Sequence, residues 1–259
     1  MTDYNTVCLE RIRYTDINLI IISFTSYSNR VEDTAYRAAC TLLDQTLPAD
    51  KVILWCKNPT LQLRNLVGLE IREPIQDIGS HNKIIWTLQE FPNDIIVTAD
   101  DDLYYPRNWL ALLVQEHEKH NTNIICHLAR EVTLVDNNHL KPYHQWYKPH
   151  HGPNRILPLM GYGCLFPPNS LHTDVTNKEL LLRLTPKSND VWCWAMSVLN
   201  RTKHSVVSEQ VTFFDIPHNG ERLWQYHQDG GSVTNKDRQF QQVIAHYPEI
   251  LTKMVEMTD

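Results

Sequence analysis

The sequence predicts an α/β fold: a mostly parallel sheet with helices packed on both faces. Three observations carry that expectation. Short, continuously apolar strand-like runs alternate with helix-like segments through the first half. The runs lack in–out alternation, as strands covered on both faces do. The sharpest break, residues 94–106, joins a buried strand at Ile95–Thr98 directly to Asp100, Asp101 and Asp102. Ligands of open α/β sheets gather just beyond strand carboxyl ends, where such a break would lie.

Taken in order, residues 18–24 form the first apolar strand. Residues 31–45 place Val31, Ala35, Ala38, Leu42 and Leu43 on one helical face, ended by Leu47-Pro48. Residues 51–56 read as a second buried strand. Asn58-Pro59 reads as cap and first turn of a short helix to Leu66. A third strand falls at 68–72, and 81–91 is helical through Ile84, Ile85 and Leu88. Pro106 suits a helix first turn, because its missing N–H is not needed there. That helix runs to about His120, and a strand follows at 123–128. Residues 136–158, rich in Pro, His, Tyr and Asn, read as a long surface excursion. A helix at 188–200 takes Ser188 as N-cap. Residues 217–237, with Gly220, Gly230 and Gly231, read as a mobile loop before a last helix near 237–247.

At 259 residues, 42% hydrophobic and 21% charged, the chain suits one α/β domain with a core that needs no staples. A net charge of −6 argues against a nucleic-acid partner. Six scattered cysteines without C-x-x-C spacing suit reduced thiols and a cytoplasmic setting. No apolar run approaches the length of a membrane span, and no signal peptide is recognisable. A peripheral contact with the inner face of a membrane stays open, as does the oligomeric state.

Three adjacent carboxylates repel one another and call for a cation. Asp-x-Asp offers oxygen donors suited to Mg²⁺ or Mn²⁺ carrying substrate phosphates. The alternative is a solvated acidic turn. Other segments admit two readings each. Residues 23–30 (SFTSYSNR) are a polar βα turn, or a ligand-holding one with Arg30 as a fork for phosphate. Residues 77–83 (DIGSHNK) are a helix start with Ser80 as cap, or a place where Lys83 meets a diphosphate. Gly161-Tyr162-Gly163 is a bulged strand, or a close approach to a ligand. Asn189-Asp190 is a first-turn helix acid, or a general base kept ionised by the helix N-terminus.

The ordered set of apolar strand–TSYxxR, DIGxxxK, TADDD, GxG and ND-x-W resembles bacterial GT-A glycosyltransferases near family 2, from about residue 18 to 200 and more weakly to 241. The resemblance implies a single GT-A, Rossmann-like domain spanning 1–259. Its nucleotide-sugar half would cover about 18–130 and its smaller acceptor half about 131–259. It implies metal-dependent transfer from a nucleotide-diphosphate sugar, UDP- favoured, to a saccharide or glycolipid acceptor. Inversion by direct displacement and a place in bacterial surface polysaccharide or lipopolysaccharide synthesis go with it. Thr25, Ser26, Tyr27, Arg30, Asp77, Lys83, Asp100 and Asp101 would then hold the donor. Asp102, with Asp100, would bind Mn²⁺ or Mg²⁺, and Asp190 would be the base. Gly161, Tyr162, Gly163 and Trp192, with Trp194, would line the sugar or acceptor. A late histidine, His218 or His227, would complete the metal shell, and Arg222, Trp224 and Lys236 would serve a lid over the diphosphate. His144, His150 and His151 would line an acceptor rim or face solvent. One departure is Asn189, where relatives often carry a second acid.

Two rival functions keep the acidic turn. A sugar-nucleotide nucleotidyltransferase would need a Gly-rich phosphate loop near the N-terminus, yet no glycine occurs before Gly68. A non-catalytic carbohydrate- or cation-binding module would need neither the nucleotide turn nor Asp190.

Overall fold

The structure, a computed structural model, describes residues 18–136, 139–147, 155–218 and 235–257. The strands are β1 (Ile20–Thr25), β2 (Lys51–Trp55), β3 (Leu69–Arg72), β4 (Ile95–Thr98), β5 (Leu103–Tyr104), β6 (Ile124–Cys126), β7 (Ala129–Glu131), β8 (Leu134–Asp136), β9 (His139–Leu140), β10 (Ile156–Pro158), β11 (Cys164–Phe166), β12 (His204–Val206) and β13 (Phe214–Asp215). The helices are α1 (Arg30–Asp33), α2 (Ala35–Leu43), α3 (Leu61–Arg64), α4 (Asn82–Glu90), α5 (Trp109–Lys119), α6 (Lys178–Leu184), α7 (Asn189–Leu199), α8 (Lys236–His246) and α9 (Ile250–Glu256).

Seven strands make the central sheet in the order β12-β6-β11-β4-β1-β2-β3. Neighbours run parallel except β11, which is antiparallel to both β4 and β6. Side chains alternate between two apolar layers, the period-two rule of a strand. Ile21, Ile53 and Ile96 face one layer, built with α4, α7, α8 and α9. Ile22, Leu54 and Val97 face the other, built with α2 and α5. Both faces being covered, β1, β2 and β4 read as unbroken apolar runs, which is the predicted α/β class. Among the described residues, no helix is long and apolar enough to cross a membrane.

The reversed strand positions the site. Cys164, which opens β11, pairs with Thr98, which closes β4. The turn before β11 and the acidic turn after β4 therefore meet at one edge of the sheet.

Several local expectations change. The helix expected at 31–45 is two pieces, parted at Thr34, whose hydroxyl bonds back to the Arg30 carbonyl at 3.4 Å. Thr60, not Asn58, caps α3, its hydroxyl accepting from Leu63 N–H at 3.2 Å. A 3₁₀ turn at Gly79–His81 leads into α4, so Ser80 is no cap. The stretch expected to be a surface excursion contributes to the core instead: Trp146 is buried, with its ring centroid 5.0 Å from that of Phe240. Ser188 caps α7 as expected, accepting from Val191 N–H at 3.5 Å. Among the described residues Cys40, Cys56, Cys126, Cys164 and Cys193 are free thiols.

Candidate active site

The acidic turn is three differently held carboxylates. Asp101 points inward, accepting from Ser26 Oγ at 2.6 Å and Arg30 Nη1 at 2.8 Å. Burial pushes its pKa up to about 6 against the pull of Arg30. With its side chain only 5% exposed, Asp101 braces the turn through these two bonds, where a contact with the donor sugar was expected. Arg30 is committed to the same purpose, since its Nη2 also lies 3.2 Å from Asp102 Oδ2. Its fork grips protein carboxylates, where a diphosphate was expected.

Asp102 sits at the rim of this cluster. Its Oδ2 lies 4.0 Å from His218 Nε2, and that nitrogen is 3.3 Å from Arg30 Nη2. His218 is thus the late histidine that the fold delivers to the acidic turn. β13, which pairs with β5 just after that turn, carries it there. His227, Arg222, Trp224, His150 and His151 lie outside the described residues. His144 is exposed in a 3₁₀ turn, Tyr143–Gln145.

Asp100 leans the other way, pairing with the Lys83 ammonium from α4. Lys83 is buried; burial works against its charge, but Asp100, with Asp190 behind it, outweighs this and its pKa is raised. Gly161 explains how Asp100 fits. A Cβ there would fall 2.1 Å from Asp100 Oδ2. Tyr105 ties the two turns together: its hydroxyl accepts from Asp100 N–H and donates to the Gly161 carbonyl, each at 2.6 Å. The sequence reading missed this residue, and the only signal was its place three positions after the acidic run.

The same Gly-containing turn reaches Asp190. Met160 N–H donates to Asp190 Oδ1 at 3.1 Å, and Lys236 Nζ lies 2.9 Å from Oδ2. Burial alone would raise the Asp190 carboxyl, but Lys236, the Met160 N–H and Lys83 hold it below its ordinary value. Lys236 was expected over a diphosphate; it is buried against Asp190 instead. The fold therefore brings Asp100, Lys83, Gly161 and Asp190 into one chain of contacts.

Other expected site residues fall elsewhere. Trp192 is fully buried, its indole N–H donating to the Val175 carbonyl at 2.9 Å, so it is core and offers no sugar-facing wall. Trp194 is buried against Phe240 in the same layer. Tyr162 packs edge-on to Phe213 at 5.2 Å. Gly163, at φ +115°, lets the Trp109 indole approach and donate to the Tyr162 carbonyl at 2.8 Å. Thr25 Oγ1 donates to the Trp55 carbonyl at 2.7 Å. Tyr27 is 46% exposed beside Arg30. Asp77 closes its own turn, accepting from Gly79 N–H and Asn82 Nδ2, each at 2.9 Å.

No sequence-family profile matches the chain, and no curated relative does. Solved structures do. A mannosyltransferase from Pyrobaculum calidifontis, PcManGT, in complex with GDP-Man and Mn²⁺, is 12% identical over 94% of this chain and 74% of its own, at a TM-score of 0.49. Residues 1–349 of S. aureus TarS, in complex with UDP-GlcNAc, are 14% identical over 92% of this chain and 72% of theirs, at a TM-score of 0.50. The likeness to TarS is one of fold: a mainly parallel α/β sheet, shared with a protein solved bound to a nucleotide sugar.

Proposed function

We propose that the chain is a GT-A glycosyltransferase that moves a sugar from a nucleotide-diphosphate donor, UDP- favoured, to a saccharide acceptor hydroxyl with inversion. One observation carries the reading. The acidic turn at the end of β4 and the half-buried carboxylate of Asp190 are linked through Met160, Gly161 and Tyr105 at one sheet edge. A donor-holding turn beside a fixed base is what direct displacement needs. The fold shared with a UDP-GlcNAc-bound protein supports a nucleotide-sugar ligand.

Asp102 at the rim would offer a carboxylate oxygen to Mn²⁺ or Mg²⁺, the other positions going to phosphate oxygens and water. Asp102 Oδ2 and His218 Nε2 both lie against Arg30 Nη2, at 3.2 and 3.3 Å, so the guanidinium would have to move aside before the imidazole joined the shell. When bound, such an ion neutralises charge on the departing diphosphate. The chain's own residues do the rest. Asp101, Arg30 and Ser26 hold the turn rigid. Asp100, steadied by Lys83, faces the donor. Asp190 Oδ2 accepts the acceptor's proton as the new C1–O bond forms. Both halves of the chain, 18–130 and 131–259, contribute to this single unit. A surface polysaccharide or lipopolysaccharide acceptor and a cytoplasmic site of action complete the proposal by fold-level analogy.

Calorimetry with UDP, GDP, CDP and dTDP, each with Mn²⁺ and with EDTA, tests it. Metal-dependent binding of one nucleotide, lost in Asp102→Ala, is expected. Asp190→Asn should keep that binding while nucleotide release from the donor falls by orders of magnitude. No binding by any of the four nucleotides would sink the reading.

A further inference from the structure

The first turn of α8 reaches back over the candidate base at three points. Lys236 Nζ meets Asp190 Oδ2 at 2.9 Å, with the lysine side chain 6% exposed. Gln239 Oε1 accepts from Lys187 N–H at 3.2 Å, one residue before the Ser188 cap of α7. Asp237 Oδ1 accepts from Tyr143 N–H at 2.6 Å, and the Tyr143 ring centroid lies 4.5 Å from the Lys236 ammonium. Beneath this turn Phe240 packs on Trp194 and Trp146. The turn is thus anchored to both the start of α7 and the 143–146 segment.

We propose that Lys236 is the positioning residue of Asp190, holding the carboxylate in one orientation and in its charged form. The proposal rests on the reading of Asp190 as base. Its grounds are geometric. A carboxylate has about four lone-pair sites on two oxygens. Met160 N–H takes one on Oδ1 and Lys236 one on Oδ2, which fixes the plane and leaves sites for an acceptor hydroxyl. Other titratable groups also face Asp190. Lys83 of α4 is engaged with Asp100. His81, in the 3₁₀ turn before α4, is kept neutral because burial pushes it down to about 4. Burial pushes the thiols of Cys164 and Cys193 up, so they carry no charge near neutral pH. Among the described residues, direct cationic contact falls to Lys236. Without it, of these partners the Met160 N–H would be left on a mostly buried carboxylate, whose desolvation would then favour the neutral acid.

The test is a ¹³C-carboxyl aspartate NMR titration of the full chain as wild type, Lys236→Met and Lys236→Arg, with Asp190 assigned by its loss in Asp190→Asn. Mn²⁺-dependent UDP binding and the pH profile of nucleotide release from UDP-GlcNAc and GDP-mannose are followed in parallel. Lys236→Met should raise the Asp190 midpoint by about one to three pH units. The acid limb of release should move with it, UDP binding should persist, and Lys236→Arg should restore most of the shift. An Asp190 midpoint unchanged in Lys236→Met overturns the proposal. Normal nucleotide release by Asp190→Asn would instead remove Asp190 as base, which separates failure of the underlying reading from failure of the positioning role.

Discussion

Removing Asp100 and removing Lys83 should cost the fold very different amounts, although the two form one ion pair. The Lys83 side chain is 2% exposed and that of Asp100 is 42% exposed. Asp100→Ala leaves an ammonium in the interior without its partner, and breaking a buried pair from that side costs about 3–5 kcal/mol. Asp190 also acts on Lys83 through its field, but it is already held by Lys236, so it offsets only part. A loss of about 3 kcal/mol is expected, at the low end of that range. Lys83→Met removes the charge that is hard to bury. It leaves a carboxylate that water reaches, so the loss should be about 1 kcal/mol or less. The double variant should resemble Lys83→Met, which makes the coupling about 3 kcal/mol. Urea unfolding of the four proteins, with equal m-values, measures this. Equal losses from the two single variants would refute the reasoning, because they would mean that Lys83 is as well hydrated as Asp100 in the folded protein.

Gly163→Ala should destabilise by about 3 kcal/mol, since φ is +115° and the new Cβ would sit 2.4 Å from the Trp109 Nε1; a loss below about 1 kcal/mol in urea unfolding would show that the indole can move aside. Trp192→Phe should lower stability by about 1–3 kcal/mol, leaving the Val175 carbonyl without its donor, while nucleotide affinity stays unchanged; calorimetry showing weakened UDP binding would return Trp192 to the site. Burial pushes His81 and His127 down to about 4, below the ordinary 6.5. The unfolded chain binds more protons between those values, so stability is full above about 6.5 and is lost as pH falls toward 4, by about 3 kcal/mol for each histidine. Scanning calorimetry from pH 7.5 to 5 should show a Tm that falls less steeply in His81→Gln than in wild type, and an unchanged slope would count against this.

The sequence showed the sheet well because β1, β2 and β4 are covered on both faces, so each reads as an unbroken apolar run. It hid β11, a three-residue strand whose antiparallel direction comes from a turn and not from its residue pattern. Local features carried by a run of residues, such as the acidic turn that closes β4 or Ser188 capping α7, were legible in the chain. Pairing across long separations was not. Arg30 meets Asp101 across 71 residues, and Lys236 meets Asp190 across 46. Residue type alone cannot tell an arginine that grips a phosphate from one that grips a buried carboxylate. The tryptophans misled for a related reason: at 192 and 194 they suit either a sugar wall or a core, and α7 is buried nearly all round.

The cluster's charges set how a nucleotide and a divalent ion would bind under the proposed function. Among the described residues, Arg30, Lys83 and Lys236 stand against Asp100, Asp101, Asp102 and Asp190, three lysine and arginine cations to four carboxylates. The surplus of carboxylates over these cations lies on the side of Asp102, which shares Arg30 with Asp101. A divalent ion added alone would turn the surplus positive, beside an already positive Arg30. A diphosphate added alone would meet carboxylates. Added together, each cancels what disfavours the other, so metal and nucleotide should bind with positive coupling, and linkage makes that coupling equal in both directions. At least a ten-fold gain in UDP affinity on adding Mn²⁺ is expected, about 1.4 kcal/mol. The same factor should appear in Mn²⁺ affinity on adding UDP, with both lost in Asp102→Ala. Calorimetry of each ligand with and without the other measures it. If Mn²⁺ binds as tightly without UDP as with it, the excess of carboxylates over cations is not what holds the ion, and a preformed metal cage would have to take the place of a site completed by its substrate.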